Sequence, residues 1–224
     1  MLTKAQIKRR LKRVLANFYR ISLKNRTFSI LSNNCFGGVI YDKFALPYLT
    51  PTIGCWIPPA DYVRFLGNLP HYLAQDVIQI SWQESHVADI LRQRKESGRY
   101  DFALEDMIIG RIDDIDIIFM YYTSFEDARE KWNRRKLRIN MDNLVVKCND
   151  QNGCTYADFQ AFCALPFQNK LFLTAKPEWS STHTGTRIIF IKKYEKFGYV
   201  VNDTTHGDVP INMTKYLNQI QKSE

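Results

Sequence analysis

The stretch Phe28-Ser-Ile-Leu-Ser-Asn-Asn-Cys-Phe-Gly-Gly38 is the most informative part of this 224-residue sequence. It begins with residues typical of a buried strand and then changes abruptly to small polar residues and two glycines. An apolar segment that can form a helix follows. In α/β proteins, strands that end in this way expose backbone N–H groups and side-chain amides at the sheet edge where ligands usually bind. The stretch therefore predicts a binding site at the end of a strand, without specifying a reaction.

Segments with strand and helix patterns alternate through the rest of the chain. Residues 107–110 and 115–122 predict a hairpin with its turn at residues 111–114. Directly afterwards, Thr123-Ser-Phe-Glu126 has the pattern of a capping box and predicts a helix that runs to about Arg138. This order of segments predicts an α/β fold, with a three-layer α/β/α sandwich around a mixed, mainly parallel sheet.

Positive charge is concentrated at the start of the chain. Nine Lys and Arg residues precede the first acidic residue, Asp42, although the whole chain has 31 basic and 23 acidic residues. Apolar residues recur there at helical spacing, at Ile7, Leu11, Val14, Leu15 and Phe18. The sequence therefore predicts a basic amphipathic arm over residues 1–26, helical over 3–20, followed by a single α/β domain over 27–224.

Three roles for this arm are open. It can be a surface helix docked on its own domain, with a solvated basic face. It can lie on an anionic lipid surface, because cations attract the headgroups and apolar side chains insert below them. It can also bind nucleic acid, but the rest of the chain lacks an accompanying basic and aromatic stripe, which makes this role the least supported.

The five cysteines indicate a reducing compartment. An odd number of cysteines in a chain of this size favours free thiols and a cytoplasmic location. The spacing of Cys148, Cys154 and Cys163 matches no common zinc pattern. No apolar run is long enough to span a bilayer, so we expect any association with the inner face of the cell membrane to be peripheral.

The order of several motifs resembles a bacterial family known as domain of unknown function 1919. The motifs are Ser-Asn-Asn-Cys-Phe-Gly-Gly (32–38), Tyr48-Leu-Thr-Pro-Thr-Ile-Gly54, Asp61-Tyr-Val-Arg-Phe-Leu66, Asp114-Ile-Asp-Ile-Ile-Phe119, Trp132-Asn-Arg-Arg-Lys-Leu-Arg-Ile-Asn140, Asp142-Asn143 and Ala164-Leu-Pro-Phe-Gln-Asn-Lys170. The resemblance implies an α/β fold and a role in capsule or exopolysaccharide biosynthesis. It supplies no established reaction, although relatives are sometimes described as acetyltransferases, which would imply acetyl-CoA as donor. The family often has a histidine where this chain has Tyr121.

The first candidate site follows the predicted strand. Asn33, Asn34 and the glycines Gly37 and Gly38 can surround an anionic or sugar group at a helix N-terminus. They can equally cap the helix and permit tight packing. Cys35 is a candidate nucleophile if its pKa is lowered there, and is otherwise a buried, inert thiol.

Carboxylates form the second candidate group. Asp114 and Asp116 have the Asp-x-Asp form that many glycosyltransferases use to hold a metal-bound nucleotide sugar, with Mg²⁺ or Mn²⁺ as the ion. Aspartates at this position also suit a turn. Asp61, near a helix start, is a candidate general base or a stabilising charge on the helix.

The third candidate group is the dense polar stretch Trp132, Arg134, Arg135, Arg138, Asn140, Asp142 and Asn143. Its guanidinium groups can clamp a diphosphate or carboxylate. The alternatives are a solvated helix face or ion pairs within the helix, with Trp132 as a core anchor. Arg138, Asn140 and Asp142 are the preferred functional residues, because they lie where the helix gives way to the next strand.

Together these features predict a cytoplasmic, membrane-peripheral enzyme of surface polysaccharide biosynthesis. We expect a transferase that acts on an activated sugar or a lipid-linked glycan. In this hypothesis the Asn33–Cys35 segment orients the substrate, Arg138 binds its anionic part, and Asp61, Asp114 or Asp142 serves as base or metal ligand, all in one cleft. The alternatives are a non-catalytic scaffold or regulator of a membrane glycosyltransferase, and a hydrolase with Cys35 as nucleophile.

Overall fold

The computed structural model describes residues 14–98, 103–180, 185–204 and 210–220. The strands in chain order are β1 (Ser29–Ser32), β2 (Cys55–Trp56), β3 (Ile78–Ile80), β4 (Ile108–Ile112), β5 (Ile115–Phe119), β6 (Leu144–Asn149), β7 (Asn169–Thr174) and β8 (Thr186–Phe190). The α-helices are α1 (14–21), α2 (Phe36–Phe44), α3 (Pro59–Gly67), α4 (Leu69–Ala74), α5 (Ala88–Glu96), α6 (Phe125–Lys136), α7 (Tyr156–Ala164) and α8 (Met213–Gln219). Short 3₁₀ helices cover Trp82–Glu84, Leu104–Asp106, Met141–Asn143, Pro177–Trp179 and Lys192–Phe197.

Four strands form a wholly parallel sheet in the order β1-β6-β7-β8. In this sheet Ser29 lies beside Leu144, and Val145 lies beside Asn169. Because the strands all run in one direction, their carboxyl ends share one edge. We call it the carboxyl edge, and the residues that follow β1, β6, β7 and β8 lie along it.

The other four strands form an antiparallel sheet in the order β2-β5-β4-β3. The predicted hairpin is confirmed as β4 and β5, with Ile112 paired to Ile115 and Asp113 at a positive φ of 53° in the turn. Its strands pair with β2 and β3 and not with the parallel sheet. The α/β class with a mainly parallel sheet is confirmed, and the hairpin strands belong to a separate sheet.

Alternating side chains of the parallel sheet supply two cores. Ile30 and Leu171 point toward α2 and α8, whereas Leu31 and Phe172 point toward α3, α6 and α7. This is the predicted three-layer sandwich. The core that contains Leu31 and Phe172 also includes one face of the antiparallel sheet. The other face of that sheet packs against α5 through Ile118.

The ends of α6 differ from the prediction. The N-cap is Ser124, one residue later than expected, and its hydroxyl accepts the Asp127 N–H at 3.2 Å. The helix ends at Lys136, two residues before Arg138. Arg138 therefore lies beyond the helix and does not continue the helix face of Arg135.

The first helix is described over residues 14–21, where the helical prediction is confirmed. The preceding part of the predicted arm, residues 1–13, lies outside the described residues. None of the helices in the described part of the chain is both long and apolar enough to cross a lipid bilayer.

Candidate functional site

A cleft of about 320 Å³ lies at the carboxyl end of β1. Its walls come from the start of α2, from residues 48–54, from the residues after β5, and from α6. We call it the tyrosine cleft, because three tyrosines line it together with a thiol and two cations: Tyr48, Tyr121, Tyr122, Cys35, Lys131 and Arg135. Its position agrees with the general preference of ligands for this edge of a parallel sheet.

Arg135 is the buried cation of the tyrosine cleft, which Lys131 and the acidic Asp42 also line. The residue is only 9% exposed, its Nη1 donates to the Tyr122 hydroxyl at 2.8 Å, and its guanidinium lies 5.1 Å from the centre of the Tyr48 ring. Tyr122 in turn donates to the Ile53 carbonyl. Among the described residues no carboxylate forms an ion pair with Arg135, whereas Lys131 is paired with Asp127 at 2.7 Å. A buried guanidinium without an ionic partner is a favourable site for an anion.

Cys35 lies at the N-terminal end of α2, on the wall of the cleft. Burial raises the pKa of its thiol to about 11, and the nearby charge of Asp203 acts in the same direction. Lys147 and a hydrogen bond with Tyr121 oppose this effect without reversing it. The thiol is therefore protonated at neutral pH, which argues against the hypothesis of a thiolate nucleophile.

A buried polar network lies behind Cys35. Lys147 of β6 forms an ion pair with Asp203, and its ammonium also donates to the amide oxygen of Asn34 at 3.1 Å. Asp203 accepts from the amide groups of Asn34 at 2.9 Å and Asn149 at 2.8 Å. Asn33 donates to Asn149 at 3.1 Å. The Asn33 and Asn34 side chains thus connect the end of β1 to β6 and to Asp203, and they do not point freely into the cleft.

The two glycines after Cys35 differ in their surroundings. A Cβ atom on Gly37 would lie 3.1 Å from the Ser32 hydroxyl and 3.3 Å from the Ile30 carbonyl oxygen. Gly37 therefore permits α2 to pack closely against β1. Gly38 lines the tyrosine cleft, where an added Cβ would make an ordinary contact of 3.5 Å with Ile53.

The polar residues after α6 lie at the opposite edge of the parallel sheet. The Asn140 N–H donates to the hydroxyl of Ser29, the first residue of β1, at 2.8 Å. The Asn143 amide donates to the Asn25 side chain at 2.8 Å. Since β1 rises about 3.3 Å per residue, these groups are roughly 10 Å or more from Asn33. The prediction of one cleft that contains both groups is wrong.

Trp132, Arg138 and Asp142 do not join the cleft either. Trp132 is fully buried, with its ring centre 6.1 Å from Phe65 and 6.2 Å from Phe119. It anchors α6 in the core and cannot contact a substrate, so its assignment to substrate binding is corrected. Arg138 and Asp142 are exposed.

Asp114 and Asp116 do not form the metal-binding pair that the sequence predicted. Asp114 is exposed and accepts from the Tyr72 hydroxyl at 2.7 Å, so it does not form a metal pair with the fully buried Asp116. Asp116 instead lies beside Asp61, whose carboxylate accepts the Asp116 N–H at 2.7 Å. His86 Nδ1 lies 3.6 Å from a carboxylate oxygen of each.

This Asp61, Asp116 and His86 cluster is already satisfied by protein partners. Arg111 donates to Asp116 through two nitrogens, at 2.7 and 3.1 Å, and Arg64 pairs with Asp61. Burial alone would raise the pKa of Asp116, but hydrogen bonds from Arg111, the His86 N–H and the Ser85 hydroxyl together outweigh it and lower that pKa. Burial raises the pKa of Asp61. The cluster is best described as an ion-pair network that connects α3 to β5.

An open parallel sheet with a cleft at its carboxyl edge defines an α/β protein with a ligand-sized site on its surface. The chain belongs to the family described as Domain of unknown function (DUF1919), whose model matches residues 6–223. An uncharacterised protein of Haemophilus influenzae is 31% identical over 155 residues, which cover 69% of this chain and 65% of that protein. The chain thus spans about two thirds of the length of this relative.

Sequence reasoning missed Lys147 and Asp203. A signal for Lys147 was present, because it is the one charge in the otherwise apolar strand segment Leu144-Val-Val-Lys-Cys148. A charge within a buried strand requires a buried partner. Nothing near Asp203 identifies it as that partner, because it lies in an irregular segment far along the chain.

Proposed function

We propose that the protein is an enzyme of surface polysaccharide biosynthesis, a transferase that acts on an activated sugar or a lipid-linked glycan. We propose further that the tyrosine cleft binds the anionic part of that substrate. The observation that carries this proposal is Arg135, a buried guanidinium that lines the cleft without a carboxylate partner among the described residues.

The chemistry of the cleft fits a phosphorylated sugar. Arg135 uses one N–H on Tyr122, and a guanidinium has further donors in a planar fork that suits phosphate. The amides at the start of α2 are less suitable, because Phe36 N–H and Gly37 N–H are occupied by the side chains of Asn34 and Ser32. The cation, and not the helix end, therefore supplies the anion site.

The tyrosines and the thiol provide contacts for the uncharged part of the substrate. The exposed Tyr121 presents its ring and hydroxyl group on the cleft wall, whereas the Tyr48 hydroxyl donates to Asp42 at 2.8 Å and the Tyr48 ring lies against the Arg135 guanidinium. The neighbouring Cys35 raises the pKa of Tyr121, so the Tyr121 hydroxyl is protonated at neutral pH and can donate a hydrogen bond. The cleft volume of about 320 Å³ lies in the range of small-ligand sites.

The binding test compares Arg135→Gln with Arg134→Gln. Arg134 is the adjacent residue on α6, but it is exposed and paired with Glu130 at 3.1 Å. We expect a sugar 1-phosphate to stabilise the native protein in a thermal-shift titration, and Arg135→Gln to weaken binding by roughly tenfold or more. Arg134→Gln should bind as the native protein does. Equal binding by both variants would refute the role of Arg135.

The biosynthetic role needs a separate test in cells. A strain whose only gene copy carries Arg135→Gln should lose surface polysaccharide, whereas Arg134→Gln should retain it. Normal polysaccharide in a strain that lacks the gene altogether would refute the biosynthetic role, and would leave the binding result unaffected.

The membrane-peripheral part of the proposal is supported by α1. Val14, Phe18 and Ile21 follow one another at helical spacing and are 64%, 71% and 76% exposed. The helix packs on the protein through Ala16, and the buried Leu23 follows it. An apolar helix face that points to solvent beside a cation-rich segment matches the chemistry of an anionic bilayer surface.

Vesicle sedimentation tests this association. Phe18→Ser should reduce binding to vesicles that contain anionic lipid by roughly tenfold, because it removes a large apolar side chain that would insert into the bilayer. Phe197→Ser is the matched control, since Phe197 is also exposed but lies outside α1. Similar binding by both variants, or equal binding to neutral vesicles, would contradict the proposed docking face.

A further inference from the structure

The helix α1 packs beside one wall of the tyrosine cleft. The Lys43 ammonium, near the end of α2, lies 5.3 Å from the centre of the Tyr19 ring. Nη1 of Arg20 lies 3.5 Å from the carbonyl oxygen of Ala45, the residue that caps α2. Asp42 directly precedes Lys43 and lines the cleft. Because a helix rises about 1.5 Å per residue, α1 meets α2 within about one turn of the cleft wall.

Tyr48 connects this wall to the buried cation. Its hydroxyl donates to Asp42 at 2.8 Å, and its ring centre lies 5.1 Å from the Arg135 guanidinium. A continuous set of contacts therefore runs from α1, through the end of α2 and Tyr48, to Arg135. The exposed apolar face of α1 and the anion site belong to one region of the protein.

The apolar face of α1 defines the level at which a bilayer surface would lie. Val14, Phe18 and Ile21 are exposed on this face, and the exposed cations Lys24 and Arg26 follow the helix. An interfacial helix buries its apolar face roughly 5–10 Å into the boundary between lipid headgroups and acyl chains. The phosphate groups of the lipids then lie at about the level of the helix, beside the region that contains the cleft.

The size of the tyrosine cleft suits a headgroup better than a whole lipid. Its volume of about 320 Å³ is near the lower end of the roughly 300–1,000 Å³ that is typical of ligand sites. A phosphate with one attached sugar fits such a space, whereas a long acyl or isoprenoid chain does not. The chain of a lipid bound in this way would stay in the bilayer.

We infer that the anionic group bound by Arg135 is a phosphate ester carried by a membrane lipid, and not a freely diffusing phosphate. The helix α1 holds the protein on the bilayer, and the cleft takes the phosphate of a lipid in the same bilayer. Because one attachment makes the other intramolecular, the two together bind more tightly than either alone. This inference rests on the proposed function and narrows its substrate to the lipid-linked class.

Vesicle sedimentation of the full chain separates the two sources of phosphate. One set of vesicles contains phosphatidylcholine, phosphatidylglycerol and a polyprenyl phosphate. The matched set replaces the polyprenyl phosphate with additional phosphatidylglycerol to give the same total charge, because a phosphate monoester carries about −1.5 to −2 at pH 7. A calorimetric titration with glucose 1-phosphate is the soluble arm. The variants are Arg135→Gln and Phe18→Ser, with Arg134→Gln as control.

We expect the native protein to bind the vesicles with polyprenyl phosphate about tenfold more tightly than the charge-matched vesicles. Arg135→Gln should lose this preference and should bind the charge-matched vesicles as the native protein does. Phe18→Ser should weaken binding to both kinds of vesicle by a similar factor and keep the preference, because its cleft is intact. Arg134→Gln should behave as the native protein does, because Arg134 is exposed and paired with Glu130.

Two results would overturn the inference. One is equal binding of the native protein to the two kinds of vesicle, a comparison that needs no variant and holds even if Arg135→Gln fails to fold. The other is a preference that persists in folded Arg135→Gln, because the lipid phosphate would then bind elsewhere.

The soluble arm distinguishes these failures from failure of the proposed function. If Arg135→Gln weakens binding of glucose 1-phosphate but the native protein shows no preference between the vesicles, the cleft takes a soluble phosphate and only the inference is wrong. If Arg135→Gln changes neither glucose 1-phosphate binding nor the vesicle preference, the anion site itself is wrong and the inference falls with it.

Discussion

Replacement of Asp203 by alanine should destabilise the protein by about 3–5 kcal/mol, which is the typical cost of breaking a buried ion pair from one side. The Lys147 and Asp203 side chains are only 0% and 2% exposed. Without Asp203, Lys147 is left in a buried site with only amide oxygens as its remaining side-chain partners. The amide groups of Asn34 and Asn149 lose an acceptor at the same time.

Urea unfolding and thermal unfolding measure this cost. For a chain of this length, a loss of this size lowers the melting temperature by roughly 10 °C. The double variant Lys147→Met/Asp203→Leu should recover most of the loss, because it removes the buried charge together with its partner. Glu130→Gln is the control, because it breaks the exposed pair with Arg134 and should cost less than about 1 kcal/mol.

The reasoning fails if Asp203→Ala costs no more than Glu130→Gln. It also fails if the double variant is less stable than Asp203→Ala by the full cost of a second independent substitution. In the first case the ion pair would contribute nothing beyond a surface pair. In the second case the two side chains would not act together.

Three further predictions test the packing at Gly110, the Cys35 thiol and the buried Asp150 carboxyl group. Gly110→Ala should cost about 1–3 kcal/mol in urea unfolding, because its Cβ would lie 2.4 Å from Val77 and 2.9 Å from Phe119. Cys35 should react with iodoacetamide roughly tenfold faster per pH unit from pH 7 to 10, because its pKa is raised to about 11. Burial raises the pKa of Asp150, so its protonated form is favoured in the folded state. That contribution is complete below the unfolded pKa of about 4 and is lost as pH rises through the folded value, so the stability of the native protein relative to Asp150→Asn should decrease from pH 4 to 7.

Each of these predictions has a control or a contradicting result. Gly67→Ala is the control for Gly110, because its Cβ would have no neighbour nearer than 3.9 Å and the substitution should be neutral or stabilising. A Cys35 reaction rate that levels off near pH 8 would show an ordinary thiol. A constant or growing stability difference between the native protein and Asp150→Asn over that pH range would contradict the raised pKa.

Much of the fold was predictable because its signals are local. The hairpin is specified by two apolar runs that flank an aspartate turn, and β1 by the apolar run that ends at Ser32. The assignment of the hairpin to a separate sheet was not predictable, because strand partners depend on packing between distant segments. β1 pairs with β6, more than a hundred residues later in the chain.

The candidate site was predictable only in part. The end of β1 does contribute to a cleft, through Cys35 and Gly38. The prediction that Arg138 lines the cleft was wrong. It assumed that the helix continued to residue 138, which would have kept Arg138 on the same helix face as Arg135. Since α6 ends at Lys136, Arg138 lies beyond the helix, where it is exposed and does not line the cleft, and Asn140 reaches the amino end of β1.

The order β1-β6-β7-β8 also has a consequence for synthesis on the ribosome. All strands of the antiparallel sheet have been synthesised once Phe119 has emerged, whereas β6 (Leu144–Asn149), the strand that pairs with β1, is synthesised later. Asp203, the ionic partner of Lys147, follows Lys147 by a further 56 residues. A nascent chain in this interval carries an exposed strand edge and an unpaired ammonium, and is the stage at which binding by a molecular chaperone would matter most.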